Sequence, residues 1–254
     1  ALLTAWNKIQ ATYILQLDAD VRLTNKWYTA LRKAFDHDAA LYILPIKFEI
    51  NTFIQKLFAF EFASLSMLTI SSVGLNNPLL ANGAHLMYER RYLDQIDKRK
   101  DWMQTASGDD MSILHHFKEQ NLTINTIISR DLFCETKSKD TLKEFMQQRL
   151  RWASKTRYNL FSIQGITSLF IILSNALFII CAFCFLCSKS HILMNASLTY
   201  ILVKIIADFI YFLPILNQSQ RLNQWWLYFI LVPLYPIYVI YIGILSMFSL
   251  GNWK

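Results

Sequence analysis

The sequence predicts an α/β domain followed by transmembrane α-helices, and two observations carry this prediction. The chain has 254 residues, with 25 Lys plus Arg and 18 Asp plus Glu, yet after residue 161 the charged residues are only Lys189, Lys204, Asp208, Arg221 and Lys254. Before residue 162, short apolar runs alternate with helical patterns, which is typical of a sheet with helices on its faces. A composition that is 54% hydrophobic and 17% charged excludes a disordered chain.

The expected strands are short runs rich in β-branched and aromatic residues. They fall at residues 12–17, 41–46, 84–88 and 122–128. The first run ends abruptly in Asp18-Ala19-Asp20. Ligands of open α/β sheets bind beyond the carboxyl ends of the strands, so this end is a candidate site.

The expected helices alternate with these strands. They fall at residues 25–35, 52–73, 90–100, 110–119 and 141–157. The stretch 52–73 is long and rich in aromatic residues, and we expect it at a membrane interface. The stretch 141–157 is amphipathic and basic and leads towards the apolar part of the chain.

Three apolar stretches, at about residues 162–188, 192–217 and 225–250, predict three transmembrane helices, because a span needs ~20 apolar residues. Buried helices of a large soluble protein are disfavoured, because such helices usually have ~10–14 residues. The predicted domains are therefore a water-soluble domain at 1–158 and a membrane domain at 162–250. Lys204 and Asp208, one helical turn apart, predict an ion pair or the lining of a polar path.

The basic residues predict the orientation in the membrane. Arg149, Arg151, Lys155 and Arg157 precede the first apolar stretch, and basic residues near span ends favour the cytosolic side. We therefore expect a multi-pass protein of the cell membrane with residues 1–158 in the cytosol.

Two acidic pairs are candidate sites. Asp18 and Asp20 on a loop suit a hard divalent cation, although Asp is also common after strands as a turn residue. Ser107-Gly108-Asp109-Asp110 opens a predicted helix. Adjacent like charges favour a carboxylate that accepts a proton, and simple N-capping is the alternative.

The third candidate is Gln147-Gln148-Arg149-Leu150-Arg151-Trp152. Arg can clamp a phosphate with its planar fork, and Trp offers a flat face on which a sugar ring can stack. A basic patch that binds anionic lipid is the alternative. Nucleic-acid binding is not expected, because acidic residues are interspersed with the basic ones.

The chain resembles the membrane-bound family 2 glycosyltransferases, such as cellulose synthase, hyaluronan synthase and ceramide glucosyltransferase. The resemblance lies in the order of three motifs: Asp-x-Asp, then the acidic pair, then Gln-x-x-Arg-Trp just before apolar helices. Residues 81–91 are similar to the glycine-containing acceptor-side strand of that family. The resemblance implies a GT-A-like (Rossmann-like) nucleotide-sugar domain. It also implies inverting sugar transfer from a nucleotide-diphosphate sugar to a lipid or growing glycan acceptor, with Mg²⁺ or Mn²⁺ as cofactor.

The resemblance also implies roles for single residues. Asp18 and Asp20 would lie at the donor diphosphate, with Asp20 preferred over Asp18 as metal ligand. Asp110 would act as general base, matching the last residue of the family's Thr-Glu-Asp. Asp109 stands where the family has Glu and remains a rival for the base.

Four further roles are implied for the remaining motifs. Gln148 and Arg151 would reach the donor phosphates, and Trp152 and Gly83 the acceptor.

The family's first strand, its uracil-contacting Asp and a Gly-Lys pair have no counterpart here, so we expect that an N-terminal part precedes Ala1.

Two other functions fit parts of the pattern. A haloacid-dehalogenase-type phosphohydrolase would use Asp18 as covalent nucleophile, but the Gln-x-x-Arg-Trp and the apolar helices would have no role. A non-catalytic membrane subunit for glycan export or assembly could keep the same fold.

Overall fold

The computed structural model of the chain describes residues 8, 10–93, 109–156 and 162–248. The chain divides into two compact units. The first unit contains residues 1–51, 61–138 and 218–220, and the second contains residues 52–60, 139–217 and 221–254.

The first unit is built on short strands. Those in the described residues are β1 (Tyr13–Leu17), β2 (Leu41–Ile43), β3 (Ile46–Phe48), β4 (His85–Glu89), β5 (Ile124–Asn125) and β6 (Cys134–Thr136). Four of them form one sheet in the order β1-β4-β2-β5, and β3 pairs with β6 in a second sheet. β4 is antiparallel to both of its neighbours, while β2 and β5 are parallel. The strands β1, β2 and β5 therefore end at the same edge of the sheet.

The pairing of β1 with β4 sets the position of the first acidic pair. Leu17, the last residue of β1, lies opposite His85, the first residue of β4. The chain continues past Leu17 to Asp18, whose backbone N–H donates to the carbonyl of Ala84 at 3.4 Å. The loop after β1 thus lies beside the segment that leads into β4.

The strand predicted at residues 41–46 is divided by Pro45. Leu44 still donates its backbone N–H to the carbonyl of His85, but Pro45 has no N–H with which to continue this ladder. Beyond Pro45 the chain pairs with β6, a strand that the sequence analysis missed. The strand predicted at 122–128 is shorter than expected, because only Ile124–Asn125 pairs with β2.

The helices of the first unit confirm the helical pattern. Those in the described part of the unit are α1 (Trp27–Ala34), residues 61–74 of α2 (Phe53–Gly74), α3 (Arg90–Leu93) and α4 (Asp109–Glu119). The rest of the helix predicted at 90–100 lies outside the described residues. The main core cluster contains Ile14, Ala40, Leu41, Ile43, Val73, Leu86, Tyr88, Ile113, Leu114 and Phe117. Since α4 supplies three of these side chains, the core fixes the helix that begins at the second acidic pair.

The second unit is helical in the described residues. Its helices are residues 53–60 of α2, α5 (Leu142–Thr156), α6 (Ile163–Cys187), α7 (His191–Gln218) and α8 (Leu227–Phe248). Four helices of the described chain, α2, α6, α7 and α8, are long and apolar enough to cross a membrane. The last three coincide with the predicted spans, and α2 is an additional candidate. The predicted domain boundaries stay a prediction.

Burial separates α2 from the other three apolar helices. The protein buries 44% of the apolar window of α2, but only 11–17% of those of α6, α7 and α8. Helices with so much exposed apolar surface need an apolar solvent, which a bilayer provides. Within α7, Lys204 Nζ and Asp208 Oδ2 form the expected ion pair at 2.8 Å.

A buried histidine links several elements of the first unit. Because the carbonyl of Pro45 can only accept, His85 Nδ1 donates to it at 2.9 Å, and Nε2 accepts from the indole N–H of Trp27 at 3.2 Å. The side chain of His85 is 0% exposed, and burial lowers its pKa to about 4. A proton on Nε2 would face the Trp27 donor, so the network requires neutral imidazole.

This network predicts a loss of stability in acid. An unfolded His titrates near pH ~6.5 and folded His85 near 4, so the stability present above pH ~6.5 is lost as the pH falls towards 4. Between pH 7 and pH 5 we expect a loss of about 2 kcal/mol from this group. Thermal unfolding of the detergent-solubilised protein at both pH values, compared with His85→Gln, measures it. An equal acid-induced drop in the protein and the variant would contradict the assignment.

Candidate functional site

The loop after β1 carries the first acidic pair on a tight turn. The backbone carbonyl of Asp18 accepts from the N–H of Val21 at 3.1 Å, which closes the turn. Both carboxylates are exposed, and Asp20 Oδ2 accepts from the hydroxyl of Thr136 at 3.0 Å. The turn therefore presents two carboxylates to solvent beside a neutral hydroxyl.

The strand β6 holds the chain just after this turn. Arg22 and Glu135 exchange two backbone hydrogen bonds, of 2.7 Å and 3.1 Å. Thr136, the next residue of β6, thereby reaches Asp20. Thr136 is not predicted from the sequence, because β6 is only three residues long and carries no strand pattern of its own.

The second acidic pair lies at the start of α4. Asp110 Oδ2 accepts from the backbone N–H of Gly83 at 3.4 Å, and Oδ1 accepts from the N–H of Met111 at 2.8 Å. A Cβ atom added to Gly83 would lie only 3.2 Å from Asp110 Cβ, so the carboxylate approaches where no side chain intervenes. Asp109 is the first residue of α4, and its side chain, like Ser107 and Gly108, lies outside the described residues.

One residue of each acidic pair is hydrogen-bonded to the segment before β4. The backbone N–H of Asp18 donates to the carbonyl of Ala84, and the carboxylate of Asp110 accepts from the N–H of the preceding residue, Gly83. The side chain of Asn82 accepts from the N–H of Ala84 at 3.1 Å and shapes this turn. Asp18 and Asp110, which are about ninety positions apart in sequence, thus both contact the three-residue segment that precedes β4.

A buried amide lies beneath this segment. Gln16 donates from Nε2 to the carbonyl of Gly83 at 3.2 Å and accepts at Oε1 from the hydroxyl of Tyr88 at 2.9 Å. From the sequence, Gln16 is predicted only as part of an apolar strand. Its alternation with Ile14, which shares the buried face of β1, is the signal that could have found it.

The third motif lies on α5 in the second unit. The guanidinium of Arg149 is 4.5 Å from the ring centroid of Phe145 and 4.4 Å from that of Trp152. Arg149 is only 3% exposed and also donates to Gln148 Oε1 at 3.2 Å, whereas Arg151 is exposed. The two arginines therefore differ: Arg149 is packed between rings, and Arg151 faces outward. The sequence analysis gave Arg149 no role of its own.

Asp18 and Asp20 have the chemistry to bind a divalent cation that enters the site already bound to a diphosphate. Within residues 10–93, 109–156 and 162–248, no three His, Cys, Asp or Glu side chains gather to hold a metal ion. Mg²⁺ is usually bound through one or two carboxylates, with substrate phosphates and water completing its shell. Asp18 and Asp20 supply oxygen donors of this kind.

Comparison with known proteins identifies the family. The model of "Glycosyl transferase family group 2" matches residues 13–244, from the first strand to the last helix. None of the curated proteins compared with the chain matches it. The match includes both the α/β unit and the apolar helices, which a phosphohydrolase would leave without a role. The chain therefore belongs to glycosyl transferase family group 2 and is a membrane glycosyltransferase with a GT-A-like domain followed by membrane helices.

Proposed function

We propose that the chain catalyses inverting transfer of a sugar from a nucleotide-diphosphate sugar to a lipid or growing glycan acceptor at the cytosolic face of the cell membrane. One observation supports this proposal most. The backbone N–H of Asp18 donates to the carbonyl of Ala84, and the carboxylate of Asp110 accepts from the N–H of the preceding residue, Gly83. The residues that the family resemblance assigns to the sugar donor and to the base are thus held by one segment, which suits attack on the anomeric carbon of a bound nucleotide sugar.

The turn after β1 is proposed to hold the donor diphosphate. Asp20 is the preferred metal ligand and Asp18 the second, and Thr136 orients Asp20 through its hydrogen bond. When bound, Mg²⁺ or Mn²⁺ supplies positive charge next to the departing diphosphate. The exposure of both carboxylates supports a cation that enters together with the donor.

Asp110 is proposed as general base. Its carboxylate takes the proton of the acceptor hydroxyl while the hydroxyl oxygen attacks the anomeric carbon opposite the diphosphate, and the bond to the diphosphate breaks. General-base catalysis contributes ~10²–10⁴-fold to the rate. The hydrogen bonds from Gly83 and Met111 fix the direction of the carboxylate. Asp109 remains the rival for this role.

The residues of the third motif, on α5, are proposed as binding groups. Gln148 and Arg151 would contact the donor phosphates, and Trp152 the acceptor; a contact with the acceptor is proposed for Gly83 as well. The exposure of Arg151 supports its role, because a guanidinium must be accessible to clamp phosphate. Arg149 holds the ring of Trp152 from one side.

The base proposal predicts the effect of Asp110→Asn. Because an amide cannot take the acceptor proton, we expect transfer to fall ~10²–10⁴-fold while donor binding is retained. Labelled-sugar transfer by membranes that carry the protein, with a panel of UDP- and GDP-hexoses, measures the change. Asp131→Asn, in the short turn Arg130–Leu132, is the matched control. Near-normal turnover of Asp110→Asn would leave Asp109 as the base.

The metal proposal predicts the effect of Asp20→Ala. Since a metal-binding carboxylate is lost, we expect donor affinity in Mn²⁺ to fall about tenfold or more, towards the value in EDTA. Calorimetric titration of the purified protein with each nucleotide sugar, with and without Mn²⁺, measures the affinity. An unchanged Mn²⁺ dependence would remove Asp20 as a ligand. If the unmodified protein binds no donor, the non-catalytic subunit is the better explanation.

The contrast between the two arginines of α5 predicts opposite defects. Arg151→Ala removes a charge-assisted hydrogen bond worth ~1.5–3 kcal/mol, so donor affinity should fall about ten- to a hundredfold with little change in Tm. Arg149→Ala removes the cation that lies over the rings of Phe145 and Trp152, so Tm should fall while donor affinity is retained. Thermal unfolding and donor titration of both variants test this. A lower Tm in Arg151→Ala together with weaker donor binding in Arg149→Ala would contradict this assignment of roles.

A further inference from the structure

We propose that Gln16 and Tyr88 are positioning residues that fix the general base through the backbone of Gly83. This inference rests on the proposed role of Asp110. Three hydrogen bonds in series connect the groups: Tyr88 to Gln16 at 2.9 Å, Gln16 to the carbonyl of Gly83 at 3.2 Å, and the N–H of Gly83 to Asp110 at 3.4 Å.

The direction of this series is fixed by chemistry. The carbonyl of Gly83 can only accept, so the amide nitrogen of Gln16 must face it. The amide oxygen then faces Tyr88, whose hydroxyl must donate. An inverted amide would set its oxygen against the Gly83 carbonyl and lose that bond, so the orientation observed is the one that keeps both bonds.

Burial makes this orientation costly to lose. Tyr88 is 0% exposed and Gln16 is 9% exposed, so neither can exchange its partner for bulk water. A buried polar group that loses its partner is destabilising, because water does not replace the lost hydrogen bond. The pair is therefore rigid in a way that an exposed pair would not be.

The sheet holds both members of the pair. Gln16 lies opposite Leu86 in the antiparallel ladder, and Tyr88 is two residues further along β4. Such diagonal neighbours lie on the same face of a sheet, ~7–8 Å apart, within reach of long side chains. The strand pairing that forms the core thus also sets the position of the amide.

Gly83 transmits this position to the carboxylate. The point that a Cβ atom of Gly83 would occupy lies 3.6 Å from Gln16 Nε2 and 3.7 Å from Asp110 Cγ. The N–H and the carbonyl of Gly83 belong to two different peptide groups, which are joined at a residue with large backbone freedom. Gln16 holds the carbonyl of the second group and Asp110 accepts from the N–H of the first, so the two bonds together restrain the torsions of Gly83.

The test compares two tyrosines of equal burial on neighbouring strands. Tyr42 of β2 is also 0% exposed, and its hydroxyl donates to Asp38 at 2.7 Å, without contact to Gly83. Tyr88→Phe removes the hydroxyl that holds the Gln16 amide, and Gln16→Leu removes the amide itself. Tyr42→Phe removes a buried hydroxyl elsewhere. All three are measured in the full membrane-embedded chain with the same UDP- and GDP-hexoses.

We expect kcat, normalised to donor-binding sites, to fall about three- to tenfold in Tyr88→Phe and about tenfold or more in Gln16→Leu, because small displacements of a reacting group are costly. Donor KM should not change. Tyr42→Phe should lose a similar amount of stability and keep its kcat. If Gln16→Leu does not fold, Tyr88→Phe decides, since it removes only one hydroxyl.

A second readout separates positioning from mere structural support. Gln16→Glu presents a protonated carboxyl, which can donate to the Gly83 carbonyl and accept from Tyr88 as the amide does, so it should keep a higher kcat than Gln16→Leu. Equal kcat in Gln16→Glu and Gln16→Leu, or equal kcat in Tyr88→Phe and Tyr42→Phe, overturns the inference. If Asp110→Asn is inactive in that case, the proposed function still stands. If Asp110→Asn is active, the proposed base fails first.

Discussion

The antiparallel pairing of β1 with β4 is the interaction on which the candidate site depends. This one ladder places Asp18 beside Ala84 and Gln16 beneath Gly83. It also buries Ile14 and Tyr88 in the core that holds α4, the helix that carries Asp110. A slip of one residue in this register would turn Gln16 to the opposite face. The apolar core and the polar site are therefore specified by the same hydrogen bonds.

The apolar helices show a second constraint, which comes from their surroundings. The exposed sides of α6, α7 and α8 are rich in large apolar residues, for instance Phe170, Ile192 and Phe229. In water such surfaces would aggregate, whereas in a bilayer they match the solvent. α2 is more buried by the protein itself, although its composition is similarly apolar. Length and hydropathy alone therefore do not distinguish a helix that packs against protein from one that faces lipid.

The sequence predicted most of the regular elements, because their patterns are local. The strand 12–17 and the helix 110–119 follow from residue type and spacing, and the apolar helices follow from composition. The break at Pro45 and the pairing of β6 depend on distant partners, which local patterns do not encode. The acidic motifs were found because carboxylates in pairs are conspicuous. Gln16 and Thr136 were not, since a single polar residue acquires its partner only when the chain folds.

The two aspartates of the turn after β1 are held by different sheets. The backbone of Asp18 is tied to the segment before β4 in the four-stranded sheet, while the side chain of Asp20 is tied to Thr136 of the two-stranded sheet. The geometry of this turn therefore depends on how the chain passes from one sheet to the other at Pro45. A substitution at that junction would alter the spacing of the two aspartates without changing either of them.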